Sequence, residues 1–326
     1  MKTGALKLVI GLLILAFLFL KFDAGKILAE IAGSDPLYLA LALAITPLTM
    51  HIRALRLQML LAIHNENVPL KTLNELGYVG FLFGLVTPSR AGEFIRAYYI
   101  SKENKIPYSH SIASVFIDRV LDVIVLFLLV DVSLIYLPYM LGHEVLGDFT
   151  WILVLSTLLF FSFLILLTRP WFLNAAVEFL ERMFRRIIKK DPYAKGRGLV
   201  AKEFHVTLEN LKDNKKAFLP IMLVNAVLWF FVLLQAQVIL MALGAEVDIV
   251  FTFLAVPFAI LASLLPVTVS GIGTRDVAMV MVFSLAGVPA SKAISLSLLY
   301  LFLGQIVPAA AGEYFYLKRG YSSKFT

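Results

Sequence analysis

Seven residues, Val86-Thr87-Pro88-Ser89-Arg90-Ala91-Gly92, recur 181 positions later as Val267-Thr268-Val269-Ser270-Gly271-Ile272-Gly273, with four of the seven identical. Each copy interrupts an apolar run with helix-breaking residues. A chain built this way places irregular backbone inside apolar surroundings, where every N–H and C=O still needs a partner. Paired interruptions at matching positions in two halves are the best sequence pointer to a transporter's binding site.

The surroundings are a bilayer. Of 326 residues, 60% are hydrophobic and only 16% are charged, whereas an ordinary soluble chain is about 25% charged. Apolar runs at 5–20, 37–62, 111–137, 150–168, 217–243 and 292–317 approach or exceed the roughly 20 residues that cross a hydrocarbon core. Shorter runs form two pairs, 73–88 with 93–100 and 249–265 with 274–287, and the repeated phrase sits at the bend of each pair. Lys2 and Lys7 ahead of the first run resemble a signal peptide. The following Lys21-Phe22-Asp23-Ala24-Gly25-Lys26 lacks a clear small-x-small cleavage site, so the run reads as an uncleaved first span.

Loop charge orients the chain. Residues 169–216 carry 12 Lys/Arg against 6 Asp/Glu, which predicts a cytoplasmic linker. Loops 138–150 and 244–248 carry acids and no Lys or Arg, and are predicted outside. These assignments agree only if the short pairs are re-entrant, one opening to the cytoplasm and one to the exterior. Span 37–62 then runs inward and its counterpart 217–243 outward. Span 111–137 likewise matches 292–317, and Pro107-Tyr108-Ser109 matches Pro289-Ala290-Ser291.

The predicted fold is therefore all-α and polytopic, with six full spans plus two re-entrant helical hairpins arranged as inverted-topology repeats. It forms a single membrane domain over 1–326, with both termini cytoplasmic at the cell membrane. Residues 1–36 are the first span and an external loop. Repeat 1 is 37–137 with hairpin 73–100, and repeat 2 is 217–317 with hairpin 249–287. Within the basic linker, 177–190 reads as an amphipathic helix lying on the inner leaflet, and Gly196-Arg197-Gly198 as a loop. The net charge of +7 is a topology signal, and no nucleic-acid partner is expected.

Intramembrane charges are costly and point to a pathway, relay or partner. Arg90, Glu93 and Arg96 follow the first bend at i, i+3 and i+6, with Gly92 opening the second arm. Two guanidiniums near a helix N-terminus make a site for phosphate or carboxylate. The second bend offers Ser270, Gly271, Gly273, Arg275 and Asp276, where the glycines let backbone N–H groups approach an anion. Asp118, Arg119 and Asp122 open span 111–137, and Arg90 and Arg96 are their natural partners. The bland alternatives are an Arg275–Asp276 ion pair and a structural salt bridge pinning hairpin to span. Arg53 and Arg56 read as positive-inside anchors at the end of span 37–62, and Gln235, Gln237 and Gln305 as interhelical hydrogen bonders.

Several chemistries lack their residues. There is no cysteine and no phosphate-binding G-x-x-x-x-G-K-[ST] sequence. His51, His64, His110, His143 and His205 are scattered without metal-ligand spacing. No nucleophile–base pair is found, so neither enzymatic activity nor a cofactor is expected.

Pro88-Ser89-Arg90-Ala91-Gly92-Glu93 with Arg96, then Asp118-Arg119-x-x-Asp122, then Pro266 with Gly271-x-Gly273, resemble the lysylphosphatidylglycerol synthase transmembrane region family. This is the flippase-like domain of multiple-peptide-resistance proteins, also found as stand-alone membrane proteins. The second turn is poorer in proline and glycine than the family pattern. The resemblance implies movement of a phospholipid or polyprenyl-linked headgroup between leaflets. Ending at Thr326, the chain looks like the flippase part without the acyltransferase domain. The expected function is translocation of an anionic lipid or lipid-linked headgroup, with membrane lipids, and a second copy of the chain, as partners. The alternatives are a secondary transporter of a soluble organic anion and a non-transporting partner of a lipid-synthesis enzyme.

Overall fold

The computed structural model describes residues 2–87, 90–141, 146–184, 197–213, 215–265 and 267–321. It is helical throughout, with no β-strand among the described residues. Among the described residues, four helices are long and apolar enough to cross a membrane: α3 (Pro36–Ala62), Tyr108–Met140 within α6 (Tyr108–Leu141), Ala217–Ala242 within α10 (Lys215–Ala242), and Ala290–Lys318, which joins α13 (Ala290–Leu301) to α14 (Val307–Lys318). A fifth crossing is available if Leu153–Leu167 and Pro170–Ala176, which meet at 92°, form one bent span. The remaining helices are α1 (Lys2–Lys21), α2 (Ala24–Ala32), α4 (Leu70–Leu85), α5 (Ile95–Asn104), α7 (Leu146–Leu167), α8 (Pro170–Phe184), α9 (Arg197–Asp213), α11 (Ile249–Leu264) and α12 (Thr274–Ser284).

Local chemistry explains where these helices start. Asp35 caps α3 by accepting from the Leu37 amide at 2.8 Å, with Pro36 in the first turn, where its missing N–H costs nothing. Asp248 caps α11 through the amides of Val250 and Phe251. Asp23 caps α2, so the stretch after the first span, expected to be a loop, holds a helix. Arg197 and Gly198, also read as loop, open α9 instead. Of the amphipathic stretch 177–190, the part to Phe184 is helical, and 185–190 lie outside the described residues.

Each interrupted pair breaks at its copy of the repeated phrase. Helix α4 ends at Leu85, a 3-10 turn spans Ala91–Phe94, and α5 leaves from Ile95. Helix α11 ends at Leu264, and α12 begins at Thr274. Arg90 (φ 54°) and Gly271 (φ 73°), 181 residues apart, both adopt left-handed backbone. A Cβ on Gly271 would lie 2.3 Å from Ser263 Cβ, so only glycine satisfies both the dihedral and the space.

Helix α3 packs along α10, and α4 along α14. The second close packing depends on Gly312, whose Cβ position would overlap the Tyr78 carbonyl oxygen at 2.1 Å. Between α13 and α14 the helix widens into a π turn, Phe302–Ile306, ahead of Pro308, which has no N–H to give. The Leu303 carbonyl accepts from the Thr46 hydroxyl at 2.9 Å. Large apolar side chains on α1, α7 and α10, among them Leu13, Phe17, Leu158, Phe161, Leu223 and Phe230, are exposed. In water that much apolar surface is an aggregation liability; against lipid tails it is not.

Candidate functional site

Helix α6 supplies the centre of a charged network. Asp118 and Asp122 lie one turn apart on its face toward α3, where Arg53 and Arg56 also share a face. Arg56 Nε donates to Asp118 Oδ1 and its Nη1 to Asp122 Oδ1, both at 2.7 Å. Its Nη2 donates to the Asp118 carbonyl at 3.1 Å, and its Nη1 also reaches Asn225 Oδ1 of α10. Arg53 Nη1 donates to Asp122 Oδ2 at 3.0 Å.

The first hairpin adds three more charges. Arg96 Nη2 donates to Asp118 Oδ2 at 2.5 Å. Arg119 bridges the hairpin and α6, donating to Glu93 Oε2 at 3.0 Å and to Asp118 Oδ2 at 2.8 Å. Arg90 stands apart: among the described residues its closest carboxylate is Glu93, at 4.0 Å, beyond hydrogen-bond reach. Five guanidiniums thus surround three carboxylates. Asp118 and Arg56 are wholly buried, and such groups persist in apolar surroundings only when paired.

The second bend is arranged differently. Arg275 Nη2 donates to Asp276 Oδ1 at 3.0 Å and its Nε to Ser297 Oγ at 2.8 Å, while Ser297 donates onward to Asp276. Arg275 Nη1 has no hydrogen-bond partner among the described residues although it is buried. The two bends touch directly, because Ser270 Oγ donates to the Leu85 carbonyl at 2.6 Å.

Between these elements lies a cavity of about 370 Å³. Its lining includes Arg53, Arg90, Arg119 and Arg275 with a single carboxylate, Asp122. Most of the remaining lining is apolar, with Phe94, Phe116, Phe163, Trp229 and Leu264 among its residues. Phe81 lies beside both Arg53 and Arg90, whose guanidinium carbons are 6.0 and 5.9 Å from its ring centroid. Gln235, which also lines the cavity, joins α10 to α3 by donating to the Ala42 carbonyl and the Thr46 hydroxyl. A cavity whose lining combines four guanidiniums with aromatic and aliphatic side chains suits an amphiphile.

Not every residue expected at the site faces this cavity. Arg90, Arg119, Asp122 and Arg275 line it. Glu93, Arg96, Asp118 and Asp276 are buried among the ion pairs rather than in the lining. Arg96 is the Asp118 partner expected from the sequence, but Arg90 is not; it remains at the bend beside Glu93.

The glycines act through packing. The Gly92 amide is taken by Thr87 Oγ1 at 2.7 Å, and the Gly273 amide by Asp276 Oδ2 at 2.7 Å. Of the two amides expected to meet an anion at the second bend, that of Gly273 is therefore used locally. Arg53 and Arg56, expected to be interfacial anchors, are instead part of the network, because the carboxylates of α6 face them. Asn225 and Ser297 escaped sequence reasoning, since neither residue type stands out within an apolar span. The scattered histidines also deceive: His64 and His110 stack with ring centroids 4.6 Å apart.

The family model for the lysylphosphatidylglycerol synthase TM region matches residues 4–312. A UPF0104 membrane protein of Methanocaldococcus jannaschii is 25% identical, over 92% of each chain. Another, from Pyrococcus horikoshii, is 24% identical over 96% of each. The glycosyltransferase AglD of Haloferax volcanii is 27% identical over 90% of this chain, which spans 51% of that protein.

Proposed function

We propose that this chain, which belongs to the lysylphosphatidylglycerol synthase TM region family, translocates the headgroup of an anionic phospholipid or lipid-linked precursor between leaflets. The observation that carries the reading is the cavity lining, which holds four guanidiniums and one carboxylate together with aromatic and aliphatic side chains. Guanidinium forks match phosphate and carboxylate oxygens, and a low-dielectric cavity strengthens that match. The apolar part of the lining accommodates the start of the acyl or prenyl chains, whose remainder stays in the bilayer.

Arg90, with no carboxylate closer than 4.0 Å, and Arg275, with a bare Nη1, make the first contacts with the anion. Asp122 and Glu93 hold Arg53 and Arg119 while the cavity lacks a headgroup. They then keep its net charge low enough for release. Arg96, Asp118 and Asp276 position these groups without touching the ligand. This division of labour needs no nucleophile, and the reading is of a non-enzymatic carrier.

The topology proposed with it has six spans and two re-entrant hairpins in inverted repeats, termini in the cytoplasm. The hydrogen bond joining the bends and the left-handed residues at matching positions support it. The membrane is the cell membrane. A soluble organic anion fits the guanidiniums but leaves the apolar part of the lining without a partner. Native mass spectrometry of the purified chain is expected to retain an anionic lipid, and the Arg90→Ala variant to lose it. A chain that binds a soluble anion while retaining no lipid would replace this reading with the secondary-transporter one.

A further inference from the structure

We infer that His64, His110 and Glu203 form a binding site for a divalent transition metal of the zinc class, clamping linker helix α9 to the ends of α3 and α6. His64 follows the C-terminus of α3, His110 lies in the first turn of α6, and Glu203 is on α9. Their ligand atoms lie within 4.8 Å of one another.

In the neutral imidazole, the form that binds a metal, the hydrogen bonds around the cluster fix which nitrogen of each ring carries the proton. Thr207 Oγ1 has one proton and donates it to the Glu203 carbonyl at 2.6 Å. Its 2.8 Å contact with His64 Nε2 is therefore an imidazole N–H donating to the hydroxyl oxygen, which leaves the Nδ1 lone pair facing Glu203. His110 Nδ1 lies 2.8 Å from Glu66 Oε1, and a carboxylate only accepts, so the proton is on Nδ1 and the Nε2 lone pair also faces Glu203. Glu203 Oε2 is 3.7 Å from each of these two nitrogens.

Three acceptors thus converge with no donor between them. At 3.7 Å a shared proton does not bridge either pair. The two Glu203 spacings approach the ligand–ligand edge of roughly 3.3 Å that follows from zinc–nitrogen bonds of about 2.0–2.1 Å in a tetrahedron, and binding draws the two imidazole nitrogens together from within 4.8 Å. Two imidazoles and a carboxylate are a zinc-type donor set, with the fourth position left to water. Glu66 on one imidazole and Thr207 on the other are the outer partners that orient metal-bound histidines. His110 and Glu203 remain partly exposed, which gives the ion a path in from solvent.

The test uses the full chain in detergent, without a polyhistidine tag, stripped by chelator and titrated with Co2+ and then Zn2+. One equivalent of Co2+ is expected to give the visible absorption of a tetrahedral site, and Zn2+ to displace it. His64→Ala and Glu203→Gln abolish that signal, whereas His205→Ala, on the same helix, keeps it. Glu66→Gln and Thr207→Val retain the ligands and are expected to weaken binding roughly 10- to 100-fold. These two variants keep the proposal testable should His64→Ala fail to elute as folded protein. No stoichiometric Co2+ signal in the wild type, or an undiminished one in Glu203→Gln, would overturn the assignment.

Discussion

Replacing Asp118 by alanine is expected to destabilise the folded chain by about 3–5 kcal/mol, the usual result of removing one member of a buried ion pair. Asp118 is wholly buried and receives Arg56, Arg96 and Arg119 at 2.5–2.8 Å. Without it, three guanidiniums from α3, the first hairpin and α6 face one another with less compensation. Total stabilities of about 5–15 kcal/mol make such a loss visible as poor accumulation. Asp122 offers an internal comparison, because its side chain is 16% exposed and water relieves part of the deficit. Unfolding of both variants in detergent should therefore rank Asp118→Ala well below Asp122→Ala. Equal losses, or an Asp118→Ala variant as stable as wild type, would mean that the network does not hold these elements together.

The second bend should be almost as sensitive. Gly271→Ala combines two penalties. Left-handed backbone costs a non-glycine residue about 1–2 kcal/mol. Overpacking against Ser263, whose Cβ would lie 2.3 Å from the new one, costs about 1–3 kcal/mol. Gly287 separates the two, because its φ of 71° is similar but nothing lies within 4 Å of its Cβ position. Gly287→Ala is expected to lose only the backbone part, about 1–2 kcal/mol. Thermal unfolding of the two variants should differ by the packing part. Identical losses would show that the second bend is not packed against α11 at Ser263.

Which parts of this architecture can be read in the sequence depends on the range of the interaction. The bends are legible because proline and glycine act on their own turn. The long spans are legible because apolar length is a local property, and Asp118 and Arg96 declare themselves by standing inside apolar runs. Arg53 and Arg56 do not, since a basic residue near a span end normally snorkels to the interface. Only the carboxylates 62 to 69 residues further on show otherwise. The glycine amides are misleading for the opposite reason. A free helix end looks like an anion site until Thr87 and Asp276 are seen to take those donors. The histidine cluster joins residue 64 after the end of α3, residue 110 at the start of α6 and residue 203 within α9, and no local spacing rule reaches across such gaps.

Leaflet exchange of a headgroup-labelled anionic phospholipid, measured in proteoliposomes, tests most directly whether the guanidinium-lined cavity carries lipid. The purified wild-type chain should accelerate exchange well above protein-free vesicles. Arg90→Ala should return it at least tenfold toward that background while the protein remains folded and inserted. Exchange no faster with wild-type protein than without it, or undiminished in Arg90→Ala, would contradict the account.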